Sequence, residues 1–282
     1  MNLTVAAVQL SAGSDVARNV NEALRLVDEA ADLGAQYVQL PEYFNFLGPF
    51  AGFEGAAETV PGTTTTRMAE LAKSRAITLH LGSLLERSPI NGKFYNTSAV
   101  ITPNGELIAT YRKIHLFDVN VPGAIIHRES DVIVPGDEVV VVRFDEFALG
   151  LSVCFDVRFP ELSRNLALAG ADVIAIPAAF NAVTGRAHWD LLVRARAIEN
   201  HAFVVAAAQV GTTAEGIATY GHSLIVDPWG EVLGEATSGG PEIVVATLDL
   251  SEVARRRSQI AVVDFRRSDT YDQEVRVIDA WP

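Results

Sequence analysis

Three side chains able to support covalent chemistry lie just beyond predicted strands of this sequence: Glu42, Lys113 and Cys154. Catalytic sites in α/β proteins gather at the carboxyl ends of strands. A thiol beside a helix N-terminus is favoured as thiolate, a carboxylate among apolar residues can act as a general base, and an ammonium can stabilise an oxyanion. Taken singly, the three residues also fit a buried structural cysteine, a solvated loop acid and a surface lysine.

Apolar runs that alternate with helical patterns must position these residues. Predicted strands cover Leu3–Leu10, Gln36–Leu40, Ile77–Leu85, Val139–Phe144, Ala148–Val153, Asp172–Ile176 and Ala202–Ala208. Predicted helices cover Asn19–Leu33, Thr64–Ala76, Pro160–Gly170 and Arg186–Asn200. Turn signals at Asn91-Gly92 and Pro103-Asn104-Gly105 add a β-meander, so the sheets are expected to be mixed. The long loop His115–Gly136 is expected to line a site.

Composition excludes several other classes of protein. A formal net charge of −13 argues against nucleic-acid binding, which needs clustered lysine and arginine. The single cysteine rules out an intramolecular disulfide, and no apolar stretch is long enough to span a bilayer. No histidine pair has the spacing of a zinc site, and no phosphate-binding glycine loop occurs. We therefore expect a soluble cytoplasmic protein.

Three ordered segments resemble the signature segments of the nitrilase superfamily: Pro41-Glu42, the run 111–118 around Lys113, and the run 154–162 that begins with Cys154. The resemblance extends from Leu3 to about Arg267 and includes Ala187-His188-Trp189, the run 194–199, Gly221-His222-Ser223 and Asp227-Pro228-Trp229-Gly230. It implies an α/β fold, a four-layer α-β-β-α sandwich with two mixed sheets. It also implies a homodimer or larger homo-oligomer. Because no linker, low-complexity tract or repeat divides the chain, we expect one domain over 1–270, followed by a tail over 271–282 at a subunit interface.

The resemblance further implies a mechanism. Glu42 would take the thiol proton, Cys154 would attack the carbonyl carbon of a non-peptide amide, and Lys113 with the backbone N–H of Phe155 would hold the oxyanion. Ammonia would leave a thioester, which water activated by Glu42 would hydrolyse. Glu129 lies where the family often has a second acid, and it is expected to position Lys113 or the substrate. The implied partners are a small amide and water, and the resemblance implies no metal or organic cofactor.

Within the superfamily, the runs 117–123 and 183–189 look most like the Nit branch, whose amidases act on deaminated glutathione and on ω-amides of 2-oxo acids. These substrates carry carboxylates, and Arg158 is the candidate carboxylate clamp. Phe180 and Thr184 match pocket positions of that branch. Arg186 departs from the usual proline, and Phe155 replaces the usual tyrosine.

Other functions remain open from the sequence. An N-carbamoyl-amino-acid amidohydrolase could use the same three catalytic residues with a different pocket. A catalytically idle relative that binds metabolites is a second alternative, although retention of Glu42, Lys113 and Cys154 argues against it. Nitrile hydrolysis fits least, because the Nit-like segments do not indicate it.

Overall fold

The computed structural model describes residues 1–122 and 125–271. The strands are β1 (Asn2–Gln9), β2 (Tyr37–Gln39), β3 (Thr78–His80), β4 (Leu84–Arg87), β5 (Phe94–Ile101), β6 (Leu107–Arg112), β7 (Asp118–Val121), β8 (Ile125–Arg128), β9 (Val141–Arg143), β10 (Ala148–Leu151), β11 (Val173–Ala175), β12 (Phe203–Ala206), β13 (Val210–Thr212), β14 (Ala218–Tyr220), β15 (Leu224–Val226), β16 (Val232–Glu235) and β17 (Glu242–Asp249). The helices are α1 (Val16–Asp32), α2 (Phe53–Ala56), α3 (Thr63–Arg75), α4 (Pro160–Leu168), α5 (Ala182–Asn200), α6 (Ser251–Gln259) and α7 (Ser268–Tyr271). Short 3₁₀ helices cover Phe50–Gly52, Glu129–Asp131 and Cys154–Arg158.

These strands form two large mixed sheets. One has the order β17-β1-β2-β3-β5-β4, with β6 also paired to β5, and the other has the order β16-β15-β12-β11-β10-β9. The neighbours β1, β2 and β3 run parallel, as do β10, β11 and β12, while the flanking pairs are antiparallel. The first sheet therefore carries Glu42 and Lys113 beyond its strand ends, and the second carries Cys154.

The alternation of side chains along β1 shows how the layers stack. Val5 and Ala7 lie in the core that also contains Leu149 of the second sheet. Ala6 and Val8 point to the opposite face, where α1 and α3 cover them. Because successive strand residues face opposite sides, one strand contributes to two cores. Helices α4 and α5 contact the second sheet, which gives the predicted order of helix, sheet, sheet and helix.

The predicted strand over 77–85 is wrong, because the chain turns at Gly82 and forms β3 and β4 separately. Gly82 has φ +55°, and a Cβ there would lie 2.2 Å from the carbonyl oxygens of Leu40 and Pro41. Only glycine tolerates both the left-handed backbone and this close approach. The turn also brings the Ser83 hydroxyl to accept a hydrogen bond from the backbone N–H of Tyr43, directly after Glu42 (3.0 Å).

The segment expected to be a long loop over 115–136 contains a hairpin instead. Strands β7 and β8 pair antiparallel, with Val119 opposite His127. Each strand has four residues, too few to give a clear periodic pattern in the sequence. The hairpin leads into the 3₁₀ helix that begins with Glu129.

Two other predictions fall partly outside the described residues. The proposed tail over 271–282 lies beyond them apart from Tyr271, and the extent of a single domain over 1–270 stays a prediction. Within the described ranges, no helix combines the length and apolar character needed to cross a membrane.

Candidate active site

Cys154 occupies a strained turn between β10 and α4. Its backbone has φ +49°, a left-handed conformation that costs a non-glycine residue about 1 kcal/mol or more. The backbone N–H of Cys154 donates to the carbonyl of Pro177 (2.8 Å), and this hydrogen bond holds the turn in place. The surrounding structure therefore fixes the thiol at the edge of the second sheet, where it lines a pocket.

The Asp156 carboxylate ties this turn to the strand end that carries Lys113. One oxygen accepts hydrogen bonds from the Val153 N–H (2.8 Å) and the Tyr111 hydroxyl (2.6 Å). The other accepts from the backbone N–H of His115 (3.1 Å) and contacts its Nδ1 (2.7 Å). Because Tyr111 and His115 lie on either side of Lys113, one buried acid sets the distance between the two sheets at the site.

Lys113 lies between two acids at the floor of the pocket. Its Nζ donates to Oε1 of Glu42 (2.9 Å) and to both carboxylate oxygens of Glu129 (2.8 and 3.1 Å). All three side chains are about 2–3% exposed. Two carboxylates around one ammonium carry one net formal negative charge. The cluster can therefore accept a proton directly.

Further contacts fix the two carboxylates in place. Oε2 of Glu42 accepts from the backbone N–H of Ala179 (2.8 Å), which belongs to the second sheet's edge. Glu129 accepts from the Tyr43 hydroxyl (2.9 Å) and from the backbone N–H of Phe117 (2.7 Å). Each acid is therefore held from two elements, and both keep an orientation toward the ammonium of Lys113.

These contacts shift the pKa values of Lys113 and Glu129 toward the charged forms. Burial alone disfavours the Lys113 ammonium, but Glu129 and Glu42 outweigh it and raise the pKa of Lys113 well above its usual range. Burial likewise disfavours the Glu129 carboxylate, yet Lys113 and the hydrogen bonds hold its pKa below the ordinary value. Opposite charges and hydrogen bonds thus offset the cost of burying both groups.

The pKa of the Cys154 thiol is raised, whereas the sequence predicted a lowered pKa that favours thiolate. Burial raises its pKa well above the ordinary value, and the Glu42 carboxylate beside it raises that pKa further, whereas Lys113 lowers it. The expected help from a helix dipole is absent because α4 begins only at Pro160, and Cys154 lies in a five-residue 3₁₀ helix. The resting group is a thiol, and its reaction needs a base.

The predicted substrate-binding residues line the pocket in part. Phe155, Phe180 and Thr184 contribute to its wall, the last from the first turn of α5. That helix begins four residues earlier than predicted, because the Asn181 side chain caps it by accepting from the Val183 N–H (2.9 Å). The backbone N–H of Phe155 has no backbone acceptor among the described residues, so it is available at the pocket.

Arg158 is not among the residues that line the pocket, but its guanidinium packs against two that are. Its guanidinium is half-buried over the rings of Phe180 (5.1 Å) and Phe155 (5.8 Å), and both terminal nitrogens lie 3.3 Å from Nδ1 of His188. The alternative pairing with Glu161 is not formed, and among the described residues no carboxylate pairs with Arg158. The cation remains available for an anionic ligand.

Sequence reasoning missed Asn96, which bridges the two acids. Its Nδ2 donates to Glu42 (2.9 Å) and to Glu129 (3.3 Å), and the side chain is fully buried in β5. Its backbone carbonyl also accepts from the N–H of Lys113 (2.9 Å). An asparagine within an otherwise strand-like run was the available signal, since a buried amide needs partners.

The cavity above this cluster has a volume of about 150 Å³. Its polar lining consists of Glu42, Lys113, His127, Glu129, Cys154, Asn181 and Thr184. The remaining wall is apolar and mainly aromatic. Over the described part of the chain, no cluster of histidine, cysteine and acidic side chains is arranged to hold a metal ion. The arrangement offers a nucleophile, a neighbouring base and a fixed cation in one concave site.

Comparison with known proteins agrees with this geometry. The carbon–nitrogen hydrolase family model matches residues 4–258. The chain belongs to the carbon–nitrogen hydrolase family. It is 42% identical over 273 residues to the omega-amidase NIT2 of Homo sapiens, covering 96% of this chain and 98% of that protein.

Solved structures give the same family and fold. Saccharomyces cerevisiae Nit3, a member of branch 10 of the nitrilase superfamily, is 33% identical with a TM-score of 0.85, covering 94% of this chain and 97% of that chain. An amidase from Nesterenkonia sp. AN1 is 27% identical with a TM-score of 0.79, covering 95% of each chain. That structure, which is of a mutant of the amidase, shows the acetamide moiety of fluoroacetamide added covalently at the active-site cysteine. The predicted family and sandwich fold are confirmed.

Proposed function

We propose that this carbon–nitrogen hydrolase is a cysteine-dependent amidase that hydrolyses ω-amides of 2-oxo acids. The observation that carries the proposal is that the buried Cys154 thiol, Glu42 and Lys113 line the same pocket. The chain's 42% identity with an omega-amidase over nearly its whole length favours this substrate over deaminated glutathione and N-carbamoyl amino acids. A catalytically idle relative is disfavoured because the nucleophile, base and cation are all in place.

In the proposed first half-reaction, Glu42 takes the proton of the Cys154 thiol as sulfur bonds to the amide carbon. The oxyanion that forms is stabilised by the Lys113 ammonium and the free N–H of Phe155. Glu42 then returns the proton to the leaving nitrogen, the C–N bond breaks, and ammonia departs from a thioester. Support for this order comes from the raised pKa of the thiol, which makes an adjacent base necessary.

In the second half-reaction, water attacks the thioester carbon and Glu42 takes its proton. The C–S bond then breaks, the thiol regains a proton from Glu42, and the carboxylic acid is released. Glu129 would position Lys113 in both steps, because it accepts two hydrogen bonds from that ammonium and is itself fixed by Tyr43 and Phe117. The net reaction consumes one amide and one water and yields one acid and one ammonia.

The substrate's carboxylate would bind Arg158, with Thr184 and Phe180 shaping the same side of the pocket. Support comes from the guanidinium's position over the rings of Phe155 and Phe180 and from its lack of a carboxylate partner among the described residues. A planar guanidinium binds a carboxylate through two parallel hydrogen bonds. Arg158→Ala should raise KM for carboxylate-bearing amides and spare neutral ones. An equal loss on both would remove Arg158 from this role.

Ammonia release from a substrate panel tests the proposed activity. The panel contains 2-oxoglutaramate, deaminated glutathione, an N-carbamoyl amino acid and a simple nitrile, with Cys154→Ser protein run beside the wild type. Hydrolysis of 2-oxoglutaramate in preference to the others, lost in the variant, is the expected result. Preference for another member of the panel would reassign the substrate. Silence across the panel would favour the idle binding protein.

We also propose that the chain forms a homodimer and works in the cytoplasm. Support for the dimer is an exposed apolar strip on and beside α5, formed by Leu191 (67% exposed), Ile198 (46%) and Trp229 (46%). A reducing compartment fits a catalytic thiol that must remain unoxidised. Analytical ultracentrifugation should show a dimer that Leu191→Glu weakens. A monomer at micromolar concentration would exclude the dimer.

A further inference from the structure

A continuous series of aromatic rings follows one side of the pocket. This aromatic arc consists, in spatial order, of Phe46, Phe53, Phe50, His127, Phe117 and Phe155, all of which line the cavity. Neighbouring ring centroids lie 5.2–5.9 Å apart, and most pairs meet edge to face. The rings therefore support one another and form a fixed wall rather than separate side chains.

Part of this wall remains accessible to solvent in the free protein. Phe50, Phe117, His127 and Phe155 are only partly buried, although they lie in a concave site. Burial lowers the pKa of His127, so its ring is uncharged at neutral pH and the arc has no net charge. Covering such a surface with an apolar group removes it from water, which favours binding.

The proposed reaction makes little use of this wall. A 2-oxo acid ω-amide has polar groups at both ends and no ring, and in the proposed mechanism the catalytic cluster binds its amide and Arg158 binds its carboxylate. The arc ends at Phe155, whose ring lies 5.8 Å from the Arg158 guanidinium carbon. The carboxylate site and the apolar wall are thus adjacent. The cavity of about 150 Å³ is bordered by the arc on one side and by the catalytic cluster on its floor.

We propose that the aromatic arc binds an apolar, ring-sized substituent of the substrate, so that the enzyme accepts carboxylate-bearing amides with an aryl or branched alkyl group. This inference rests on the proposed amidase function and extends its substrate class. The catalytic cluster would hold the reacting amide and Arg158 would bind the carboxylate. The aromatic arc would bind the apolar substituent of the same substrate.

A matched pair of ligands tests the arc directly. Propionate and 3-phenylpropionate share the carboxylate and differ by one phenyl ring, and calorimetry on the full-length protein gives both dissociation constants without turnover. We expect 3-phenylpropionate to bind about tenfold more tightly or better, the gain expected for burying an apolar ring. Phe50→Ala should reduce this ratio to about twofold, and Phe50→Leu should retain part of it because apolar bulk remains.

Two further variants separate the arc from its surroundings. Arg158→Ala should weaken both acids equally and preserve their ratio. Phe265→Ala, at a 79% exposed ring outside the pocket, should change neither constant. Equal binding of the two acids to the wild type, or an unchanged ratio in Phe50→Ala, would overturn the arc proposal. Ammonia release from 2-oxoglutaramate, measured on the same preparation, reports separately on the proposed function, so the two failures are distinguishable.

Discussion

Two buried polar groups in this molecule respond to burial in opposite ways. The pocket cluster, formed by Glu42, Lys113 and Glu129, keeps an ammonium between two carboxylates although each side chain is almost fully buried. The pKa of Lys113 is raised and that of Glu129 is lowered, so both charges persist at neutral pH. Burial is offset here by opposite charges at hydrogen-bonding distance.

The inter-sheet network, formed by Tyr37, Gln39, His80 and Ser98, is neutral instead. The Tyr37 hydroxyl donates to Gln39 (2.7 Å), His80 contacts Ser98 (2.5 Å), and Gln39 donates across to the Val205 carbonyl of the second sheet (2.9 Å). Burial lowers the pKa of His80 to about 3. With no carboxylate in this network, the imidazole stays uncharged.

The comparison shows what the pocket cluster requires. A buried titratable group becomes neutral unless an opposite charge is fixed beside it. In the proposed mechanism the Lys113 ammonium adds to the stabilisation of the oxyanion, and the Glu42 carboxylate accepts the thiol proton. In the pocket cluster, opposite charges lie beside each other. In the inter-sheet network, all the side chains are neutral and are joined by hydrogen bonds. The predictions below alter one group or the other.

The largest effect should follow from Glu42→Gln, which removes the proposed base and keeps the side chain's shape. We expect kcat to fall about 10²- to 10⁴-fold, the usual contribution of a general base. Thermal unfolding followed by circular dichroism should show a folded protein. Glu106→Gln, at an exposed turn, is the matched control. Wild-type turnover in Glu42→Gln would exclude Glu42 as the base.

Lys113→Met should destabilise the fold, because it leaves two buried carboxylates without their cation. The expected loss in the free energy of unfolding is about 3–5 kcal/mol, measured by urea denaturation. Adding Glu129→Gln should restore part of the stability by removing one uncompensated charge, while activity stays lost. Lys73→Met, on the exposed face of α3, is the control. A loss no larger than the control's would contradict the pairing.

The inter-sheet network should make the free energy of unfolding depend on pH. Folded His80 has a pKa of about 3 against an ordinary 6.5, so the unfolded chain binds more protons between these values and stability falls as pH drops. From pH 6.5 to 4.5 this group should contribute a loss of about 2–3 kcal/mol. His80→Gln should flatten that slope in urea titrations. A slope equal to the wild type's would show that His80 does not titrate as described.

The smallest effect should come from Asn96→Ala, which removes the bridge between the two acids. Hydrogen bonds to charged groups contribute about 1.5–3 kcal/mol, and the pKa of Glu129 should rise because one of its donors is lost. We expect kcat to fall about tenfold with little change in KM, since a positioning residue acts on the reactive groups. A change confined to KM would instead place Asn96 in substrate binding.

Much of the fold could be read from the sequence because its signals are local. Apolar runs and turn residues gave most strands and helices, and ordered segments around Glu42, Lys113 and Cys154 gave the family. The break at Gly82 was missed because it depends on a close approach to the carbonyl oxygens of Leu40 and Pro41, a contact between strands. The β7–β8 hairpin was missed because its strands are too short for a periodic pattern.

The site was predictable at residues whose chemistry is distinctive and not at those defined by contacts. Asn96 is 54 residues from Glu42 in sequence, and nothing in the run around it indicates which acids it bridges. The aromatic arc draws Phe50 and Phe117 from separate segments, so it exists only in three dimensions. The thiol's raised pKa also could not be foreseen, because it depends on burial beside Glu42.

Trapping the acyl-enzyme tests the central claim most directly. Wild-type protein is mixed with 2-oxoglutaramate, quenched in acid within the first turnover and analysed by mass spectrometry after digestion. We expect the peptide containing Cys154 to carry the acyl group left after loss of ammonia, and Cys154→Ala to show neither adduct nor ammonia. Ammonia release by the wild type without any adduct, together with full activity in Cys154→Ala, would contradict the thioester mechanism.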